Sequence, residues 1–206
     1  MNAKIWVFDF DGTLVDSNVI KKEGFFRVIE KTQNSFMHMN ETLGSSVKDR
    51  SSIFHQYEKR MQESNLTVEN YKLLTIKYSN LVDGLVSSAP QIKGAEKLLK
   101  TLKNNNKIIM ISSATPKVNL KNIIKNRNWS KYFDVLSGMP MTKINFIKEI
   151  ILKYNIKASE ICVVGDGSDD MSSAEEYGCN FLPVGTLNKV KKNYKLDDII
   201  DLIEHK

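Results

Sequence analysis

The chain has little of what would make a disulfide-stapled, membrane-spanning or histidine-ligated protein. Its 206 residues include two cysteines, Cys162 and Cys179, both inside apolar segments. A disulfide framework needs more, so these are read as buried thiols of a reducing, cytoplasmic setting. No apolar run approaches the ~20 residues of a bilayer-spanning helix, so no membrane partner is expected. MNAKIWVFDF lacks the long apolar stretch and small-residue cleavage site of a secretory leader. His38, His55 and His205 are the three histidines, and none has metal-ligand spacing. Arginine is sparse. The net charge of +6 comes mostly from lysines scattered along stretches such as KTQNSFMHMNETLGSSVKDR and KNIIKNRNWSK. A basic surface of this kind attracts anions in general. Without an arginine-rich block or interleaved aromatics, no nucleic-acid partner is expected.

What remains is the composition of a folded protein, 41% hydrophobic and 26% charged. Its length suits one α/β domain plus a small second module. KIWVFD (4–9) is a continuous apolar run, as a strand buried on both faces would show. KIIMIS (107–112), FDVLSG (133–138) and EICVVGD (160–166) repeat the pattern, and NFLPV (180–184) reads as an edge strand. Helical patterns separate them. GAEKLLKTLKNNN (94–106) sets Leu98, Leu99 and Leu102 on one face, and PKVNLKNIIKNR (116–127) opens on a proline. KINFIKEIILKY (143–154) spaces Ile144, Ile147, Ile151 and Leu152 as a helix would, and SDDMSSAEEYG (168–178) stops at a glycine. Strands alternating with helices predict right-handed β-α-β units and a parallel sheet. From about residue 16 to 90 no strand is legible, only three or four helices. The predicted organisation is an α/β core of 1–15 and 91–206 with an all-helical insert at 16–90, hinged near 15–20 and 86–92. Phe25, Phe26, Phe36 and Phe54 are read as packing within that insert.

The first strand ends in DFDGT, and a later one ends in GDGSDD. Ligands of parallel α/β sheets bind at the carboxyl ends of the strands. Residues i and i+2 of a strand point the same way, so Asp9 and Asp11 can address one site while Phe10 packs elsewhere. Gly12 permits the sharp departure. If both strands are parallel, Asp9, Asp11, Asp166 and either Asp169 or Asp170 converge. Two carboxylates about 4 Å apart repel by roughly 4 kcal/mol at an effective dielectric of 20. A hard divalent cation removes that cost. All-oxygen ligands select such an ion, and Mg²⁺, which keeps waters and partners phosphate, is the one expected.

With these motifs on the page, the chain resembles the haloacid dehalogenase superfamily. DFDGTLVDS and GDGSDD are similar to its first and fourth motifs. IIMISSATP is similar to the second, an apolar strand ending in Ser or Thr, with Ser113 as the match and Ser112 as the competitor. GMPMTKINFIKEI supplies Lys143 for the third, although Pro140 precedes the lysine by three residues where many members have Lys-Pro; Lys117 is the fallback. The resemblance implies a Rossmann-like core with a helical cap between the first and second motifs.

It also implies a Mg²⁺-dependent phosphatase of a small phosphorylated metabolite, a sugar phosphate or phosphoglycolate-like acid. Asp9 would attack phosphorus to form an aspartyl-phosphate. Asp11 would protonate the leaving oxygen, then activate water, and give the metal its backbone carbonyl. Asp166 is the implied third metal ligand, and Asp170 holds a metal-bound water or Lys143. Ser113, with backbone N–H groups near Gly12, Thr13 and Ala114, would bind the phosphoryl oxygens. Thr13 either bonds the phosphate or completes the turn. Lys143 adds positive charge. In the insert, Lys48 and Arg50 either face an anionic substrate or carry solvated charge. The alternatives are a phosphomutase of the beta-phosphoglucomutase type and a non-catalytic phosphate-binding or regulatory module. Asp11 disfavours dehalogenation, because halide departure needs no acid. A monomer or weak homodimer is expected.

Overall fold

The structure, a computed structural model, describes residues 3–45, 47, 49–188 and 190–204. The chain divides into two compact units, Met1–Ser17 with Ala89–Lys206, and Asn18–Ser88.

The first unit is a parallel sheet of β1 (Ile5–Phe8), β2 (Ile108–Pro116), β3 (Val135–Met139), β4 (Ile161–Gly165) and β5 (Asn180–Pro183), in the order β3-β2-β1-β4-β5. β1 is central and pairs Ile5 with Ile108 on one side and with Ile161 on the other. That position explains why its side chains are apolar without alternation: both faces are covered. Ile5 and Val7 join Met110, Ile161 and Val163 in a cluster with Phe146, Ile147 and Ile150 of α7 (Lys143–Tyr154) and Ala174 of α8 (Ser168–Tyr177). Right-handed crossovers put α5 (Ala95–Asn104) and α6 (Lys117–Asn126) on the opposite face. There α5 buries Leu98, Leu99 and Leu102, the expected stripe. A further helix, α9 (Leu196–Glu204), packs against α5 through the interior stripe of Leu196, Ile199 and Ile200. The apolar spacing of LDDIIDLIE carries that signal.

α7 corrects an expectation. Its buried stripe is Phe146, Ile147 and Ile150, while Ile144 and Leu152 are exposed. Ile147 is common to the expected and the observed stripe, which is rotated toward Phe146 and Ile150. The rotation matters for the site, because residue 143 lies one turn before 147 on the buried stripe. The fold therefore turns Lys143 inward.

The second unit consists of α1 (Asn18–Val28), α2 (Gln33–Leu43), α3 (Arg50–Glu63) and α4 (Tyr71–Ser88). Thr32 and Asp49 cap α2 and α3 by accepting from the N–H groups of Ser35 and Ser52. Phe25, Phe54 and Tyr78 pack ring on ring, with Phe25 4.3 Å from Tyr78 and 5.2 Å from Phe54 between centroids. The crossing points belong to the core, so the expected boundaries at 15/16 and 90/91 shift. Val15 bridges Gln91, Asp16 N–H donates to Pro90 O, and Ile92 N–H donates to Leu14 O. These bonds hold both crossings to the sheet unit as far as Ser17 and Ala89.

Among the described residues, no helix is long and apolar enough to cross a membrane. Both cysteines are free thiols. Burial pushes the Cys179 thiol up to about 11 and Cys162 higher still, which makes both poor nucleophiles.

One packing prediction follows from α1. A Cβ on Gly24 would overlap Val82 Cγ2 and come within 3.1 Å of Tyr78 Cε2. Alanine gains about 1 kcal/mol of helix propensity, but overpacking costs roughly 1–3 kcal/mol. Gly24→Ala should therefore lower the urea midpoint. Val82→Ala should partly compensate in the double variant, seen as coupling in a double-mutant cycle.

Candidate active site

β1 and β4 run parallel side by side, so the residues after each leave the sheet at the same edge. Asp9 follows Phe8 directly, and its N–H donates to Val164 O at 2.9 Å. Gly12, at φ +79°, reverses the chain in a conformation that L side chains disfavour. The turn closes through Gly12 N–H to Val15 O at 2.8 Å and Leu14 N–H to Phe10 O at 3.0 Å. After β4, α8 begins at Ser168, and Gly167 N–H donates to Asp170 Oδ2 at 3.2 Å. Gly165 is required by close approach, since a Cβ there would overlap the Asp170 carboxylate.

These two loops bring Asp9, Asp166 and Asp170 together, with one carboxylate oxygen of each within 4.8 Å of the others. Lys143 enters from the first turn of α7. Its Nζ lies 3.0 Å from Asp9 Oδ1, 2.7 Å from Asp170 Oδ1 and 2.9 Å from Asp169 Oδ2. One ammonium is thus shared by three carboxylates, two of them buried. Burial pushes the Asp9 carboxyl up to about 6; Lys143 opposes this, while Asp11 and Asp166 add to it. Asp170 is likewise raised, by burial and by Asp9. Asp169, more exposed, is lowered, because the pull of Lys143 outweighs its burial. Burial alone would lower Lys143, but Asp9, Asp170 and Asp169 hold it well above the ordinary lysine range. Three carboxylates able to share one ion thus meet a single ammonium. An oxygen-only cluster suits a hard divalent cation.

Asp11 is not one of those three carboxylates, and its oxygens meet hydroxyls. Its Oδ1 accepts from Ser17 Oγ at 2.7 Å, and its Oδ2 accepts from Thr115 Oγ1 at 3.2 Å and Ser113 Oγ at 3.4 Å. Thr115 N–H donates to Ser113 Oγ at 3.0 Å. β2 runs through Pro116, four residues beyond the expected strand, so Ser113, Ala114 and Thr115 all lie on it. The structure brings Ser113 to Asp11, whereas Ser112 pairs in register with Ser137 on β3. Lys117 begins α6 with an exposed side chain, and Lys143 is the lysine among the carboxylates. Thr13 takes a role the sequence reading had not offered: its hydroxyl donates to Asp166 Oδ1 at 3.1 Å.

Ser17 and Thr115 were not singled out in the sequence. Strand parity could have flagged Thr115, since residues 113 and 115 share a face. Ser17 gave no local signal, because its partner depends on the turn that returns the chain past Asp11. In the helical unit, Lys48 lies outside the described residues. Arg50 is buried there; it reaches Ser79 Oγ at 2.8 Å and Asp83 Oδ1 at 3.1 Å and lies over the Tyr78 ring. These contacts correct its reading as a substrate-facing charge, because the guanidinium is taken up by α4.

Comparison with known proteins agrees with this architecture. Residues 6–184 match the haloacid dehalogenase-like hydrolase family, and the chain belongs to that family. It is 25% identical over 195 positions to a phosphoserine phosphatase from Campylobacter jejuni subsp. doylei, covering 85% of this chain and 84% of the relative. Its fold is similar to a predicted phosphoglycolate phosphatase from Haemophilus somnus, with TM-score 0.76, 15% identity and 99% of each chain covered. It is also similar to a predicted beta-phosphoglucomutase from Thermotoga maritima, with TM-score 0.74 and 16% identity, covering 98% of this chain and 99% of that one.

Removing one partner from a buried ion pair costs about 3–5 kcal/mol, because the remaining charge is left uncompensated. Lys143→Met keeps most of the side-chain volume and should destabilise the protein by about 3 kcal/mol. Urea denaturation in EDTA checks this; a loss under about 1 kcal/mol, the range of exposed pairs, would contradict a buried, shared ammonium.

Proposed function

We propose that the protein is a Mg²⁺-dependent phosphatase that hydrolyses a small phosphorylated metabolite through a phosphoryl-Asp9 intermediate. The observation that carries this reading is the division of labour between two carboxylates two residues apart. Asp9 belongs to the lysine-linked acidic cluster, while Asp11 is held away from it by hydroxyls.

In the first step an Asp9 oxygen forms a bond to phosphorus. The bond to the ester oxygen breaks, and its electron pair leaves on that oxygen. Asp11 gives the leaving oxygen its proton. In the second step Asp11 takes a proton from the water that attacks phosphorus, releasing phosphate and restoring Asp9. Lys143 offsets the charge that accumulates on the phosphoryl oxygens and holds the Asp9 carboxylate in position. Ser113 and backbone N–H groups near Gly12, Thr13 and Ala114 orient those oxygens. Mg²⁺ held by Asp9, Asp166 and the Asp11 backbone carbonyl, with Asp170 behind them, would neutralise the nucleophile and substrate phosphate together.

The family and the named activity of the Campylobacter relative support phosphate-ester chemistry and make phosphoserine the first metabolite to assay. The two structural likenesses, at 15% and 16% identity, speak for the fold alone. The reading includes a cytoplasmic protein, monomeric or weakly dimeric, with the helical unit Asn18–Ser88 serving as a cap.

Asp9→Asn should abolish p-nitrophenyl phosphate hydrolysis, a loss of at least about 10⁴-fold in kcat, as befits loss of the nucleophile. Turnover that survives in this variant would end the assignment. EDTA should silence the wild-type enzyme and Mg²⁺ should restore it. Full activity in EDTA would remove the metal from the proposal.

A further inference from the structure

We infer that Ser17 and Thr115 are positioning residues that clamp the Asp11 carboxylate in the pose from which it protonates the leaving group. The inference rests on the proposed role of Asp11 as acid. All three side chains are buried, and Ser17 is wholly shielded from solvent. Ser17 Oγ binds Oδ1 at 2.7 Å, and Thr115 Oγ1 binds Oδ2 at 3.2 Å. The two hydroxyls come from elements 98 residues apart, the return of the first-motif turn and the end of β2. Each holds a different oxygen, so together they fix the carboxylate plane; either alone would leave it free to swing about χ2.

The surroundings reinforce the clamp. Thr115 N–H donates to Ser113 Oγ at 3.0 Å, which ties the Thr115 backbone to its neighbour on β2. Close packing fixes Thr115 itself, since a Cβ on Gly138 would overlap the Thr115 carbonyl oxygen. Asp11 follows Asp9 by two residues, so without the clamp its carboxylate is free to swing about χ2 toward the acidic cluster. An acid turned toward that cluster cannot reach the leaving oxygen. The chemical step at stake is the first one. The P–O bond to the leaving group breaks as Asp9 bonds to phosphorus, and the departing oxygen receives the Asp11 proton.

The consequence depends on the leaving group. A p-nitrophenolate departs without a proton, whereas an alkoxide does not. Leaving-group release should be followed in a single turnover, with p-nitrophenyl phosphate and an alkyl ester, phosphoserine or glycerol 2-phosphate, as probes. The variants are Ser17→Ala, Thr115→Val, Thr115→Ser and Asp11→Asn. Ser17→Ala and Thr115→Val should slow alkyl release on the order of tenfold to a hundredfold, the cost of a misplaced catalytic group. They should affect p-nitrophenol release much less. Thr115→Ser, which keeps the hydroxyl, should recover alkyl release, and that recovery separates positioning from general damage to the fold.

If either clamp variant slows both esters alike, or neither, while Asp11→Asn discriminates between them, the clamp is wrong and the acid stands. If Asp11→Asn itself treats both esters alike, Asp11 is not the acid, and the clamp falls with it.

Discussion

One buried ammonium sits among more carboxylates than it can neutralise, and the geometry of the core follows from supplying and restraining those charges. Lys143 bonds Asp9, Asp169 and Asp170, and Asp166 lies within ligand distance of the cluster. Such a concentration of like charge opposes folding by several kcal/mol per uncompensated pair. It survives because a central strand with neighbours on both sides fixes the positions. β1 and β4 are held by parallel ladders, and α7 and α8 pack on their shared face through Phe146, Ile147, Ile150 and Ala174. The apolar core provides the rigidity, and the acidic edge uses it.

The same rigidity separates two chemically identical residues. Asp9 and Asp11 leave β1 within three residues of each other, yet one joins the charged cluster and the other meets three hydroxyls. Gly12, at positive φ, then turns the chain back so that Ser17 returns to Asp11. Environment, not residue type, sets these two carboxylates apart, as when pairs of carboxylates elsewhere are tuned apart by their surroundings.

The helical unit shows how charge alone can mislead. Arg50 was expected either to face an anionic substrate or to carry solvated charge, but its guanidinium meets Asp83 and Ser79 and lies over Tyr78. A buried arginine with a bidentate appetite finds its partners inside the fold when α4 offers them. The aromatic residues of the unit, Phe25, Phe54 and Tyr78, make its core and not a ligand platform.

Much of this was written in local pattern. Continuous apolar runs marked the strands, since strands buried on both faces admit little else. The two acidic strand ends pointed to one edge, since parallel strands share their carboxyl ends. Side-chain partners were decided only in three dimensions. The inward placement of Lys143 goes with a buried stripe of Phe146, Ile147 and Ile150, rotated from the one that the spacing of the isoleucines and leucine indicated. The pairing of Thr13 with Asp166, and of Ser17 and Thr115 with Asp11, joins residues 153, 6 and 104 positions apart. Periodicity reports which face a residue occupies, because backbone geometry is local. Which group it meets there depends on how separate elements dock, and only the folded chain determines that.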